Sequence, residues 1–389
     1  MKDKNITIAG ATRDQATTIG KILIDTALSQ GCAVFAWQED APERFGRKNY
    51  HHIRISDIPP AGPFSLADVF VDLESTGQWA VTTRDDIDSS DMKRFPAKDR
   101  IENHQITGGI FANAELSGAV SAVIGIDFYT LIHQLAANFA HIGDESVYGI
   151  QAAAERGYVF AAEKAKDLQK QCLPVRKQRY IGFTGNDAIA MGAAYAGCRF
   201  IYSCPVKPSN RLITFFEKQE SRFGKFARRM EYAITPIHSA DNGGINKKDV
   251  KTARPRNGLK WTAEDIFLNC LADTPVVIVL GQRSGADRGT RALPHKDDYL
   301  PGILIGKGKT SKIIMIPKNA EDAFYKTILS FQLADAHQKP VFILADPMVA
   351  ESLFSVGEID PGRQTLFAYL SDPEKIKCRM EKINVSLGA

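Results

Sequence analysis

Gly185-Asn186-Asp187-Ala188-Ile189-Ala190-Met191-Gly192-Ala193-Ala194-Tyr195-Ala196-Gly197-Cys198-Arg199-Phe200 is the stretch on which the fold turns. Its Ala- and Gly-rich part predicts a helix over 186–196, and the residues that follow predict a strand over 199–203. Downstream the same alternation continues, with a helix over 209–221, buried-type strands over 275–280 and 312–317, a helix over 320–336 and a last core strand over 340–345. Between them, 241–260 is polar, glycine-bearing and basic, and reads as a long loop or insertion. Upstream, Leu173-Pro174-Val175-Arg176-Lys177-Gln178 carries a proline, two basic residues and no periodicity, so a domain boundary is expected there. Two domains follow, 1–172 and 179–389, as the length of 389 residues also predicts.

The first half opens in the same alternating manner. A strand over 6–9 ends at Gly10, and a helix over 16–28 carries Ile19, Ile22, Leu23 and Ala27 on one side. Strands over 33–37, 52–56 and 68–73 follow, and helices are predicted over 116–124, 128–139 and 145–169. Strands alternating with helices predict an α/β fold, each domain a mostly parallel sheet flanked by helices.

Composition narrows the function classes. Hydrophobic residues make up 44% and charged residues 24%, the profile of a globular protein with a sizeable core. The net charge of +4 is too small for a nucleic-acid footprint. Neither of the longest apolar runs, over 275–280 and 312–316, approaches the ~18 residues of a membrane span. The start passes from Met1 into Ile6 without a hydrophobic signal core, so a cytoplasmic location is expected. Cys32, Cys172, Cys198, Cys204, Cys270 and Cys378 form no C-x-x-C pair, which argues against an iron–sulfur cluster or structural zinc held by this chain.

Four stretches carry a family resemblance. They are Gly185 to Phe200, Cys204-Pro205-Val206-Lys207-Pro208-Ser209, Thr274-Pro275-Val276-Val277-Ile278-Val279 leading to Gln282-Arg283-Ser284-Gly285, and Lys339-Pro340-Val341-Phe342-Ile343-Leu344-Ala345-Asp346. In order and spacing they resemble G-N-E-A-I-A…A-G-C-R-F, Y-P-I-T-P-S, P-L-V-I-V-x-x-Q-R-G-G and T-P-V-I-V-L-S-D of the 2-oxoacid:ferredoxin oxidoreductases. The second half thereby resembles the pyrimidine-binding domain of the alpha subunit in that thiamine diphosphate family. The first half resembles its gamma domain, through Ile8-Ala9-Gly10, Trp37-Gln38-Glu39 with Arg44-Phe45-Gly46, and Ile53-Arg54-Ile55-Ser56-Asp57.

The resemblance implies oxidative decarboxylation of a 2-oxoacid to an acyl-CoA with reduction of ferredoxin or a similar acceptor. The diphosphate and Mg²⁺ of such enzymes are held through a G-D-G…N pattern that this chain lacks. It follows that a beta-type partner subunit holds them, and that the iron–sulfur cluster and CoA come through partner subunits. This chain is expected to hold no metal and to supply only the pyrimidine side. Within it the resemblance assigns Pro205, Ser209 and Glu231 to the cofactor, and Lys207 and Arg283 to the substrate carboxylate.

Several positions depart from the pattern. Met230-Glu231-Tyr232-Ala233-Ile234-Thr235 corresponds to M-E-D-E-I-A, so Ala233 stands where the catalytic glutamate belongs and Glu231 is the nearest acid. On a strand a two-residue offset displaces a side chain by ~6.6 Å. Lys207 replaces a threonine, and Arg254-Pro255-Arg256-Asn257-Gly258 replaces T-S-G-P-G. In the first half, Arg13 and Asp14 stand where a glycine-rich turn would open its amides to a phosphate. These losses give the alternative reading, a non-catalytic paralogue acting as scaffold or regulator. The basic run over 222–229 reads as a solvated helix face. His133, His141, His238 and His295 show no ligand-like spacing and read as surface or satisfied core residues.

Overall fold

The computed structural model describes residues 3–10, 13–39, 49–73, 79–87, 100–103, 109–164, 173, 176–201, 212, 215, 232–238, 275–281 and 313–359. The chain begins with β1 (Lys4–Gly10), α1 (Arg13–Ser29), β2 (Ala33–Glu39), β3 (Asn49–Ser56), β4 (Ala67–Leu73), β5 (Trp79–Ile87) and β6 (Arg100–Asn103). Helices α2 (Gly109–Ile124), α3 (Phe128–Phe139) and α4 (Asp144–Lys164) follow, then β7 (Ile181–Thr184), α5 (Gly185–Tyr195), β8 (Cys198–Ile201) and β9 (Tyr232–His238). The remaining elements are β10 (Val277–Gly281), β11 (Ile313–Met315), α6 (Ala320–His337), β12 (Val341–Ala345), α7 (Pro347–Glu351) and β13 (Leu353–Val356).

Two compact units result: Met1–Gly182 with Ser352–Glu358, and Phe183–Glu351 with Ile359–Ala389. The division falls ten residues beyond the expected 172, and the first unit takes back a short segment from the far end of the chain. That segment contains β13, which pairs antiparallel with β2, Leu353 against Ala36 and Phe354 against Phe35. Ser355 Oγ accepts the Val34 N–H at 2.8 Å.

The first unit is built on an eight-stranded sheet in the order β6-β5-β4-β1-β3-β2-β13-β7. The α/β class holds, but the expected parallel character does not extend here. β1–β4 is parallel, while β1–β3, β2–β3, β2–β13, β4–β5 and β5–β6 are antiparallel. The cause is connection length: residues 40–48 between β2 and β3 are too few for the dozen or more that a parallel crossover takes. Alternation along the strands sends Ile6, Ile8, Ile53, Ile55, Val69 and Val71 into one core with Ile19 and Leu23 of α1. Gly31 closes α1 with φ 80°, a left-handed conformation that side chains resist.

Helix α2 is buried from Ala112 to Ile124 on every side. Its close partner is α4, and reciprocal glycines set the distance. A Cβ on Gly118 would lie 1.9 Å from the Ala154 carbonyl oxygen, and one on Gly157 would lie 1.9 Å from that of Glu115. The predicted start at 116 was late because α2 has no polar face to mark its first turns.

Candidate functional site

The second unit's five-stranded sheet runs β11-β12-β10-β9-β8, and each neighbouring pair is parallel. Its central strands are continuous apolar runs. Val276 to Val279 and Val341 to Ala345 are buried throughout, as strands covered on both faces require. Because all five strands run the same way, their carboxyl ends share one edge. The strand-terminal residues there are Ile201, His238, Gly281, Met315 and Ala345. In open parallel sheets ligands gather outside the carboxyl ends of the strands.

Helix α5 is fixed by a capping box. Thr184 Oγ1 accepts the Asp187 N–H at 3.2 Å, and the Asp187 carboxylate accepts the Thr184 N–H at 3.1 Å. Its small residues serve packing. A Cβ on Gly185 would come within 2.2 Å of the Val349 carbonyl oxygen in α7, and one on Gly192 within 2.6 Å of the Phe324 carbonyl oxygen in α6. Asp346, which ends the T-P-V-I-V-L-S-D-like stretch, accepts the Met348 and Val349 N–H groups at 2.6 and 3.2 Å. It is a helix cap for α7.

Of the residues assigned from the resemblance, Pro205, Lys207, Ser209, Glu231 and Arg283 lie outside the described residues, as do the stretches 222–229 and 254–258 and His295. Their chain neighbours do not. Ile201 ends β8 and Gly281 ends β10, both at the carboxyl edge. Tyr232, next to Glu231, begins β9 at the amino edge. The six residue steps from Tyr232 to His238 measure about 20 Å along a strand. Ala233 stands within β9, its backbone paired with Phe200. Pro236 removes one N–H from this interior strand, an exception to the usual confinement of proline to sheet edges. His133 and His141 are exposed on the first unit, and Cys32 and Cys198 are buried.

The first unit holds a polar feature of a different kind. His52 stacks on Trp37 with ring centroids 4.6 Å apart and meets Phe64 edge-on at 5.8 Å. Thr7 Oγ1 lies 3.0 Å from His52 Nδ1. Burial, and after it the neighbouring His51, pushes the His52 ring down to about 4. Glu39 approaches Nε2 only to 3.9 Å and is itself mostly exposed, so at neutral pH this contact joins a carboxylate to an uncharged ring. Glu39 is thus a surface carboxylate at a strand end, and Arg44 lies outside the described residues. At the head of α1, Asp14 is exposed in the first helical turn. Its carboxylate already answers the helix dipole, the place a phosphate would need.

A fold of this kind, with a wholly parallel sheet in its second unit, belongs to a known class. Residues 191–384 match the family model described as "Pyruvate flavodoxin/ferredoxin oxidoreductase, thiamine diP-bdg". The chain belongs to the 2-oxoacid:ferredoxin oxidoreductases and is homologous to their alpha subunits. It is 28% identical over 165 residues to 2-oxoglutarate synthase subunit KorA of Methanocaldococcus jannaschii, covering 42% of this chain and 45% of that one. Against 2-oxoacid:ferredoxin oxidoreductase 2, subunit alpha, of Aeropyrum pernix it is 29% identical over 208 residues, 49% of this chain and 32% of the other. The chain therefore spans half the length or less of these curated relatives. Among solved structures, 2-oxoglutarate:ferredoxin oxidoreductase from Magnetococcus marinus shares the fold, with a TM-score of 0.69 at 19% identity over 94% of this chain and 67% of that one.

How far this chain suits thiamine diphosphate is a question of donors. Position 233, where the resemblance puts the proton-donating acid, offers only a methyl group. An alanine at that position does not fit the proton-donating role. Among the described residues no helix is long and apolar enough to cross a membrane.

Proposed function

We propose that this chain is a cytoplasmic subunit of a thiamine diphosphate-dependent 2-oxoacid:acceptor oxidoreductase, supplying the pyrimidine side of a pocket shared with a beta-type subunit. That partner holds the diphosphate and Mg²⁺, and partner subunits supply the iron–sulfur cluster, the CoA site and the route to ferredoxin or a similar acceptor. Thiamine diphosphate, when bound, supplies the nucleophilic carbon that attacks the 2-oxo group. On this reading Arg283 and Lys207 orient the substrate carboxylate, while Pro205 and Ser209 line the aminopyrimidine. A guanidinium grips a carboxylate through two parallel N–H donors, and a lysine adds a movable point charge. The observation that supports this reading is the common edge at which β8 and β10, the strands leading to Lys207 and Arg283, both end. The first unit acts as the gamma domain.

The second reading, a non-catalytic scaffold subunit, is favoured by one observation. Ala233 stands where the resemblance puts the proton-donating acid, and a methyl group neither gives nor takes a proton. One experiment separates the two. The chain is co-purified with the products of neighbouring genes, loaded with thiamine diphosphate and Mg²⁺, and assayed for 2-oxoacid-dependent reduction of a viologen dye. Reduction that disappears in Arg283→Ala supports the catalytic subunit. An intact, cofactor-loaded complex without reduction supports the scaffold.

A further inference from the structure

We infer that residues 176–180 form a strap that opens and closes over Cys32 while the rest of the first unit stays folded. The strap leads directly into β7, which stands at one end of the eight-stranded sheet beyond β13. Residues 176–179 are all exposed to solvent. Their hold on the unit is concentrated at Arg176. Its N–H donates to the Gln30 carbonyl at 2.8 Å, and its guanidinium pairs with the Asp57 carboxylate at 2.7 Å. Beneath the strap lies Gly31, in the turn after α1. A Cβ there would come within 2.7 Å of the Gln178 carbonyl oxygen and 2.8 Å of that of Arg176. The strap thus crosses the bare backbone of Gly31, too close for any side chain at that position.

What the strap covers is the approach to β2. Cys32 follows Gly31 and is 1% exposed. Ala33 pairs with Ser56 in the β2–β3 register, so Cys32 and Asp57 lie just beyond the same rung. Burial pushes the Cys32 thiol up from its ordinary value, and the charges of Arg176 and Asp57 both reach it. The two anchors of this part of the chain differ in kind. Upstream, Leu173 is buried in the first unit's core, and its N–H donates to the Gly125 carbonyl at 2.8 Å. The carboxamide of Gln30, itself fully buried, donates to the Leu173 carbonyl at 3.4 Å. At Arg176 the latch is one main-chain hydrogen bond and one ion pair whose side chains are 36% and 22% exposed. Contacts of that kind each alter an opening equilibrium only about fivefold. The strap therefore opens at far less cost than unfolding the sheet and its helices would take.

The test uses the full chain. N-Ethylmaleimide alkylates thiolates that reach solvent, and peptide mass mapping follows each of the six cysteines separately. Below the unfolding transition, labelling of Cys32 is expected to be almost independent of urea, because the urea slope scales with the surface an opening exposes. Arg176→Gln and Asp57→Asn are each expected to speed it about fivefold, and the double variant no further than either, since both changes remove the same ion pair. Raising salt to about 1 M should speed labelling of the wild type and leave the variants unchanged. Trypsin cleavage after Lys177 and Arg179 is expected to rise by the same factor as the labelling. Labelling of Cys32 with the full urea slope of the first unit's unfolding, followed by tryptophan fluorescence, overturns the inference, and so does an unchanged rate in both variants.

Discussion

The two units use strand direction in opposite ways. The second unit's sheet is parallel throughout, so five strand ends share a single edge. The first unit's sheet is largely antiparallel, and its strand ends are shared between two edges. One arrangement gathers side chains from positions far apart in sequence, and the other distributes them. The polar groups of the first unit accordingly settle into the packing, as His52 does between Trp37 and Phe64. Homology points the same way, since the family match covers 191–384.

The contrast breaks most directly at Arg283. Arg283→Ala in the assembled complex is expected to lower kcat/KM about 1,000-fold, the cost of losing one partner of a buried charge pair. Viologen reduction measures it, and a loss below tenfold would remove Arg283 from the carboxylate site. Next comes His52, whose folded-state proton affinity lies below the unfolded value. Its contribution is present above pH 6.5 and declines as pH falls toward about 4, because the unfolded chain takes up the proton first. Across that window the first unit is expected to lose about 3 kcal/mol. Urea midpoints from pH 7 to 4 should follow this slope, and His52→Gln should flatten it.

A smaller effect is expected from the helix pair. Gly157→Ala drives a methyl group against the Glu115 carbonyl, and overpacking of this kind costs about 2 kcal/mol. Thermal unfolding followed by the first unit's tryptophan fluorescence reports it, and an unchanged Tm would show that α2 and α4 can separate freely. The least is expected from Glu39→Gln. With an exposed carboxylate beside an uncharged ring, stability should stay within about 0.5 kcal/mol, and a larger change in the urea midpoint would mean that His52 is charged.

Much of this was legible from local patterns. Helix α3 lies where its periodicity predicts, and α5, α6, β10 and β12 fall within two residues of expectation, because each has apolar spacing or a continuous apolar run. Strand β5 was not visible: Trp79-Ala80-Val81-Thr82-Thr83-Arg84-Asp85-Asp86-Ile87 mixes charge with apolar residues near the sheet's edge. Strand β13 could not be read locally, since its partner Phe35 lies more than 300 residues earlier. The parallel expectation failed in the first unit through a connection length that strand-by-strand reading does not weigh. Motif order pointed to the second unit, and strand direction gave that unit its single edge.

Strand β13 has a practical consequence for anyone dividing this polypeptide. A fragment stopped at 182 would lack the strand β13 of its own sheet and leave the outer side of β2 bare, open to pairing with another molecule. Restoring residues 352–358 through a grafted tail or a circular permutation gives the first unit its full complement of strands, and solubility of the two fragments compared side by side would reveal what that short return is worth.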